Sequence, residues 1–130
     1  MWVHVYDPHV PYEPPQPFKD RFKNDLYSGE VAYVDAEMGK IFDYLESENL
    51  YEDTLIVLTG DHGEGLWQHG ELTHGYFAYN TTIRIPLILY FPGIEPGNVP
   101  DYVGHIDIFP TICDVLNLKK PDVLLSLIHI

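Results

Sequence analysis

The sequence is poor in basic residues and in cysteine. Seven Lys and Arg residues stand against 20 Asp and Glu residues, which gives a formal net charge of −13. Nucleic-acid binding needs a basic surface, so this charge argues against a nucleic-acid partner and against adhesion to an anionic membrane surface. The one cysteine, Cys113, excludes an internal disulfide and leaves the redox compartment open.

Long apolar runs and common nucleophile motifs are also missing. No run approaches the roughly 18 to 20 apolar residues of a membrane span. No basic segment or signal peptide precedes the strand-like residues after Met1, so we expect the chain to be a piece of a longer protein. There is no Gly-x-Ser-x-Gly turn and no phosphate-binding glycine loop ending in Lys-Ser/Thr. Cys113 lies among apolar helical positions, which favours a packed residue over a nucleophile.

What is present indicates one domain that alternates strands and helices. Apolar residues make up 45% of the 130 positions, an ordinary share for a globular protein. Strands are predicted at Trp2–Tyr6, Thr54–Thr59 and Pro86–Phe91; helices are predicted from Ser28, as N-cap, to Asn49, and after Asp107 as N-cap. This order predicts an α/β fold with a three-layer α/β/α sandwich.

Three segments leave alternatives open. Residues 8–17 hold five prolines and form either a packed extended loop or a linker. Asp35 lies at the margin of an apolar helical stripe, where it is either solvated or buried against a cation such as Arg84. His4 lies within a predicted strand, a position more typical of a packed histidine than of a ligand.

The candidate site begins where the second predicted strand ends. Thr59 is followed by Gly60, Asp61, His62 and Gly63. Ligands in open α/β sheets collect beyond the carboxyl ends of strands, and the glycines allow the backbone to bend there. A carboxylate beside an imidazole suits Mn, Zn or Fe and does not exclude Mg or Ca. A plain surface loop is the alternative.

Three further histidines lie near this pair along the chain or after an earlier predicted strand: His9, His69 and His74. A closed zinc site made by His62, His69 and His74 would match no zinc module in its spacing, and no paired cysteines accompany it. For His69 alone, a hydrogen bond that stabilises the loop and a catalytic role are both open.

Several segments together resemble the middle-to-C-terminal part of a sulfatase domain in the alkaline phosphatase superfamily. They follow the family order from about residue 2 to 118 and comprise residues 6–12, 27–35, 50–64, 69–70, 74–75, 83–88 and 107–111. The resemblance implies an incomplete alkaline phosphatase-like domain over residues 1–120. Residues 121–130 depart from the family pattern and are interpreted as a tail of non-native sequence.

The resemblance also implies roles for four residues. Asp61 and His62 match the family's second pair of metal ligands, for Ca, Mn or Zn. His9 matches the histidine that contacts the sulfate or phosphate group, and His74 falls where many sulfatases carry a lysine that contacts it. The implied activity is metal-dependent hydrolysis of sulfate esters. A phosphodiesterase, a phosphonate hydrolase or a phosphoethanolamine-type transferase is the alternative, and a non-catalytic metal-binding module is another.

The family's nucleophile and its first acidic metal-binding pair have no match in this chain. We therefore expect the 130 residues alone to be inactive and the parent protein to be the enzyme, acting on an anionic sulfate or phosphate ester. The family is often extracytoplasmic, while compartment and oligomeric state stay open. If His9, Asp61, His62 and His74 form one site, their functional atoms should lie within roughly 10 Å in one cleft.

Overall fold

A computed structural model describes residues 1–122 and Leu124 of the chain. The chain divides into two compact units, Met1–Leu89 and Tyr90–Ile130. The helices and strands run in the order α1 (Phe18–Arg21), α2 (Leu26–Ser47), a short 3-10 turn (Tyr51–Asp53), β1 (Ile56–Thr59), α3 (Asn80–Ile83), β2 (Leu87–Tyr90) and α4 (His105–Val115). Most of the predicted tail, residues 123 and 125–130, lies outside the described residues.

The N-cap of the long helix α2 lies three residues earlier than predicted, because it is Asp25 and not Ser28. The Asp25 carboxylate accepts hydrogen bonds from the Ser28 hydroxyl (2.6 Å) and the Ser28 backbone N–H (3.1 Å). The hydroxyl bond, and then the backbone bond, hold the pKa of Asp25 below its usual value. Asp35 is exposed on this helix, so the predicted burial against Arg84 is wrong.

Strands β1 and β2 pair in a two-stranded sheet and fall within the segments predicted for them. The strand predicted at Trp2–Tyr6 does not form, and His4 is exposed instead of packed. Trp2 is 88% exposed. A strand exists through its hydrogen-bonded neighbour, and in the part of the chain that the structure describes only β1 and β2 are paired.

The second unit contains α4, which begins at His105 rather than after Asp107. Gly104 is the residue before the helix, and its N–H donates to the Asp107 carboxylate at 2.8 Å, so Asp107 caps the helix from inside its first turn. Cys113 is buried on α4, as its apolar setting predicted. None of the described helices combines the length and apolar character that crossing a bilayer requires.

The proline-rich loop is packed against the start of α2 and is not a free linker. Pro14 is fully buried. It lies over Gly29, where a Cβ atom would come within 2.8 Å of the Pro14 ring and 3.1 Å of Phe22. Only a residue without a side chain allows the loop to approach the helix this closely.

Alanine substitutions at the two glycines of α2 should therefore have opposite effects on stability. Gly29→Ala should lower the free energy of unfolding by about 1 to 3 kcal/mol, because the new methyl group overlaps a rigid buried ring. Gly39→Ala meets no atom within 4 Å and should raise it by about 0.5 to 1 kcal/mol through helix propensity. Urea denaturation measures both, and a stabilising Gly29→Ala would contradict the packing described here.

Candidate active site

Asp61 and His62 lie immediately after β1 and present two donor atoms to the same space. The His62 backbone N–H donates to Asp61 Oδ1 at 2.9 Å, which fixes the carboxylate. His62 Nδ1 lies 2.9 Å from the Gly63 carbonyl oxygen, which can only accept, so Nδ1 carries the proton. His62 Nε2 then carries a lone pair that can bind a metal ion, and it lies 3.6 Å from Asp61 Oδ2.

This donor pair fits one half of a metal site. Two protein atoms bound to one ion at about 2.0 to 2.2 Å lie about 3 to 4 Å apart, which is the spacing of the two donors. Burial raises the pKa of Asp61, but hydrogen bonds from the backbone N–H groups of His62 and Asp61 outweigh it, so the pKa lies below its usual value. The carboxylate is therefore ionised, as a ligand must be. Among the described residues, no group of three or more His, Cys, Asp or Glu side chains is placed to complete the coordination.

The structure brings His74 and His9 to this pair. The His74 ring lies 3.8 Å from the His62 ring between centroids, and the His9 ring lies 6.3 Å from the His74 ring. The Tyr6 ring stacks on the His9 ring with a centroid separation of 4.3 Å. His74 thus connects His9 to the Asp61–His62 pair in one cluster of side chains.

The position of His9 is set by Glu30, a residue that the sequence analysis did not single out. Glu30 is only 3% exposed. One carboxylate oxygen accepts from the His9 N–H (3.0 Å) and the other from the Glu13 N–H (2.6 Å), so the second turn of α2 holds the loop at two points. A sequence signal existed: Glu30 precedes Val34 by four residues and so shares its apolar helix face.

The position of His74 is set by Glu64, which was also missed. The Glu64 side chain is 8% exposed, and its Oε1 lies 3.3 Å from His74 Nδ1 and 3.1 Å from the Gly65 backbone N. Burial, and then the nearby Glu64 carboxylate, raise the pKa of Tyr12 and of Tyr27. No spacing rule links Glu64 to His74, ten residues later, and only the folded loop shows the pair.

The loop that carries Asp61, His62 and His74 is closed by backbone contacts. The Gly63 N–H donates to Thr82 at 2.8 Å, and the Gly65 N–H donates to Thr73 at 3.0 Å. A Cβ atom on either glycine would overlap a backbone carbonyl oxygen, that of Thr81 for Gly63 and that of Thr73 for Gly65. The loop is therefore a rigid support for the side chains above it.

His69 lies apart from this group and stacks on Tyr79, with ring centroids 4.2 Å apart. It is exposed, and the closed three-histidine zinc site considered from the sequence does not form among the described residues. A cavity of about 400 Å³ instead adjoins His62 and His74, with Tyr76 and Phe77 in its wall. The space beside the metal-ligand pair is thus bounded by imidazole on one side and aromatic rings on the other.

Comparison with known proteins identifies the family of this chain. The Sulfatase family model matches residues 1–118. The chain belongs to the sulfatase family. It is 33% identical to an uncharacterised sulfatase, YidJ, of Escherichia coli (strain K12), over 79% of this chain and 20% of the relative. It is 36% identical to iduronate 2-sulfatase of Mus musculus, over 86% of this chain and 25% of the relative.

Solved structures place this sulfatase segment in the alkaline phosphatase-like fold. The phosphonate monoester hydrolase SpPMH from Silicibacter pomeroyi aligns with a TM-score of 0.72 and 33% identity, over 79% of this chain and 20% of that structure. The predicted fold class is confirmed as an incomplete α/β domain of this kind. The chain spans about a fifth of the length of these relatives. Its family is generally metal-dependent.

Proposed function

We propose that the longer protein containing this chain hydrolyses sulfate esters, and that this chain supplies one half of its active site. The observation that carries the proposal is the position of His74, whose ring lies 3.8 Å from that of His62, beside the Asp61–His62 donor pair. An anion bound at an ion held by Asp61 and His62 would meet His74 directly. The relatives named as sulfatases support sulfate as that anion.

The residues present would act on substrate in distinct ways. Asp61 Oδ2 and His62 Nε2 would hold a divalent ion, which neutralises charge on the nonbridging oxygens when bound. His9 and His74, as imidazolium rings protonated on both nitrogens, would donate hydrogen bonds from Nε2 to the anion, and His74 would give its Nε2 proton to the departing alcohol. Tyr76 and Phe77 would border the alcohol portion in the 400 Å³ cavity.

The identity of the ion is part of the proposal. We propose Mn or Zn ahead of Ca, because one of the two donors in this chain is an imidazole nitrogen and Ca prefers all-oxygen coordination. Metal content of the purified parent protein, measured by mass spectrometry, tests this choice. Calcium alone, bound stoichiometrically, would overturn it.

Hydrolysis of phosphonate or phosphate esters is the second candidate. It is favoured by the likeness to a phosphonate monoester hydrolase, whose structure covers 79% of this chain at 33% identity. Charge separates a sulfate monoester, with one negative charge, from a phosphate monoester, with two near neutral pH. A phosphonate monoester carries one negative charge, as a sulfate monoester does, so these two must be compared directly.

Matched substrates decide between the candidates. We expect the parent protein to cleave 4-nitrophenyl sulfate with a higher kcat/KM than 4-nitrophenyl phenylphosphonate, two substrates with the same leaving group. His74→Ala should lower both activities, because the alcohol leaves beside this ring in either reaction. A higher kcat/KM for the phosphonate would replace the first candidate by the second. Cleavage of neither ester, by a folded and metal-loaded protein, would refute both.

A further inference from the structure

In each of the three clustered histidines, His9, His62 and His74, Nδ1 faces an oxygen atom that accepts a hydrogen bond. In two of them the acceptor is a backbone carbonyl, and in the third it is a side chain. His9 Nδ1 lies 2.7 Å from the Val10 carbonyl, and His62 Nδ1 lies 2.9 Å from the Gly63 carbonyl. In both cases the carbonyl belongs to the next residue, so the backbone itself assigns the proton to Nδ1. Nε2 is then the unprotonated nitrogen of each neutral ring, and on His9 it lies 3.2 Å from the Tyr6 hydroxyl.

His74 reaches the same state through a side chain. Its Nδ1 faces Glu64 Oε1 at 3.3 Å, and an ionised carboxylate can only accept, so Nδ1 must carry the proton there too. Nδ1 is protonated in both the neutral ring and the imidazolium, so the arrangement does not depend on the charge of His74. The Nδ1 proton position in His74 depends instead on Glu64, which can be substituted.

The Glu64 carboxylate is built into the loop and is not a mobile surface group. It is 8% exposed, and the Gly65 N–H donates to the same oxygen at 3.1 Å. Gly65 is itself buried, and its N–H binds Thr73, the residue before His74. The carboxylate and the histidine are therefore fixed to the same rigid crossing of the loop.

We propose that Glu64 is a positioning residue that fixes the tautomer and ring orientation of His74, so that His74 Nε2 is the atom presented to the bound anion and leaving alcohol. This inference rests on the proposed function for its effect on activity, but not for its effect on the tautomer. A carboxylate behind a histidine aligns the ring and selects the nitrogen that faces substrate. It also explains how a histidine can act at this position, where the resemblance to sulfatases implies a lysine.

Two substitutions of nearly equal size separate the carboxylate from its bulk. Glu64→Gln keeps an oxygen that can accept from Nδ1–H, whereas Glu64→Met fills the same space without an acceptor. In the parent protein we expect Glu64→Met to lower kcat by about 10- to 100-fold, the usual effect of losing such a partner. KM should change less, and Glu64→Gln should stay within a few-fold of the unsubstituted protein.

A double substitution tests whether Glu64 acts through His74. In a His74→Ala background, Glu64→Met should cause almost no further loss of kcat, since the ring it positions is gone. A structural contribution independent of His74 would lower kcat by the same factor in both backgrounds. That additive result would overturn the inference.

The tautomer can be observed without any activity. Histidine-selective ¹⁵N labelling distinguishes a protonated Nδ1 from a protonated Nε2 at a pH where the neutral ring predominates, and His74→Ala identifies the signal. We expect Nδ1–H in the unsubstituted protein and in Glu64→Gln, and a shift toward Nε2–H in Glu64→Met. Nε2–H in the unsubstituted protein would overturn the inference even if no Glu64 variant folded. Nδ1–H combined with no ester cleavage would refute the proposed function alone.

Discussion

Asp61→Ala should lower turnover of sulfate esters by the parent protein by about 10³-fold or more. If Asp61 holds the ion as proposed, its removal loses transition-state charge stabilisation worth several kcal/mol, and each 1.4 kcal/mol is a factor of ten in rate. The Asp61 side chain is 82% exposed, so its removal should cost little stability, and the loss can be assigned to chemistry.

The experiment has a matched control and an independent counterpart. Asp35→Ala removes an exposed carboxylate from α2 and should leave kcat unchanged. Dialysis against a chelator should reproduce the loss in the unsubstituted protein, and added Mn or Zn should restore it. A kcat for Asp61→Ala within tenfold of the unsubstituted value would remove Asp61 from the proposed metal site.

Gly63→Ala should strongly destabilise the site loop. A Cβ at this position overlaps the Thr81 carbonyl oxygen, and the Gly63 N–H bond to Thr82 holds the two segments at that distance. Neither backbone can yield as a flexible side chain would. We expect the free energy of unfolding to fall by about 3 kcal/mol, the upper part of the range for overpacking.

The Gly63→Ala substitution should also lower activity, because His62 directly precedes Gly63 and would move with it. Gly97→Ala is the control, since a Cβ there meets no atom within 4 Å. Urea denaturation and kcat/KM with 4-nitrophenyl sulfate measure both effects. An unchanged denaturation midpoint for Gly63→Ala would show that the loop does not need the close crossing.

The fold was predictable where a local pattern decides the structure. The apolar run before Gly60 forms β1, and the 3.6-residue apolar repeat of α2 forms the long helix. The segment Trp2–Tyr6 has an equally good strand pattern but does not form a strand, because pairing is a property of the neighbour and not of the segment. The starts of α2 and α4 were predicted too late, because Ser28 and Asp107 lie inside the first turn and hydrogen-bond to the true N-caps, Asp25 and Gly104.

The sequence predicted the candidate site residues but not the buried glutamates that position them. The sequence pointed to His9, Asp61, His62 and His74, whose side chains carry recognisable chemistry. Their roles remain predictions, although the structure brings their rings and carboxylate together. Glu64 escaped notice because a glutamate that binds a distant ring has no characteristic spacing. For Glu30, the signal was the apolar helix face that it shares with Val34.

The closed base of the site loop has a consequence for how such proteins can diversify. Gly63 is tied to Thr82 and Gly65 to Thr73, while residues 66–70 lie outside these crossings and are exposed. Lengthening a loop beyond a fixed base costs little conformational entropy, so insertions at this tip should be tolerated. The tip is thus a place where new recognition surface can be added, while the side chains proposed to bind the ion and the anion keep their positions.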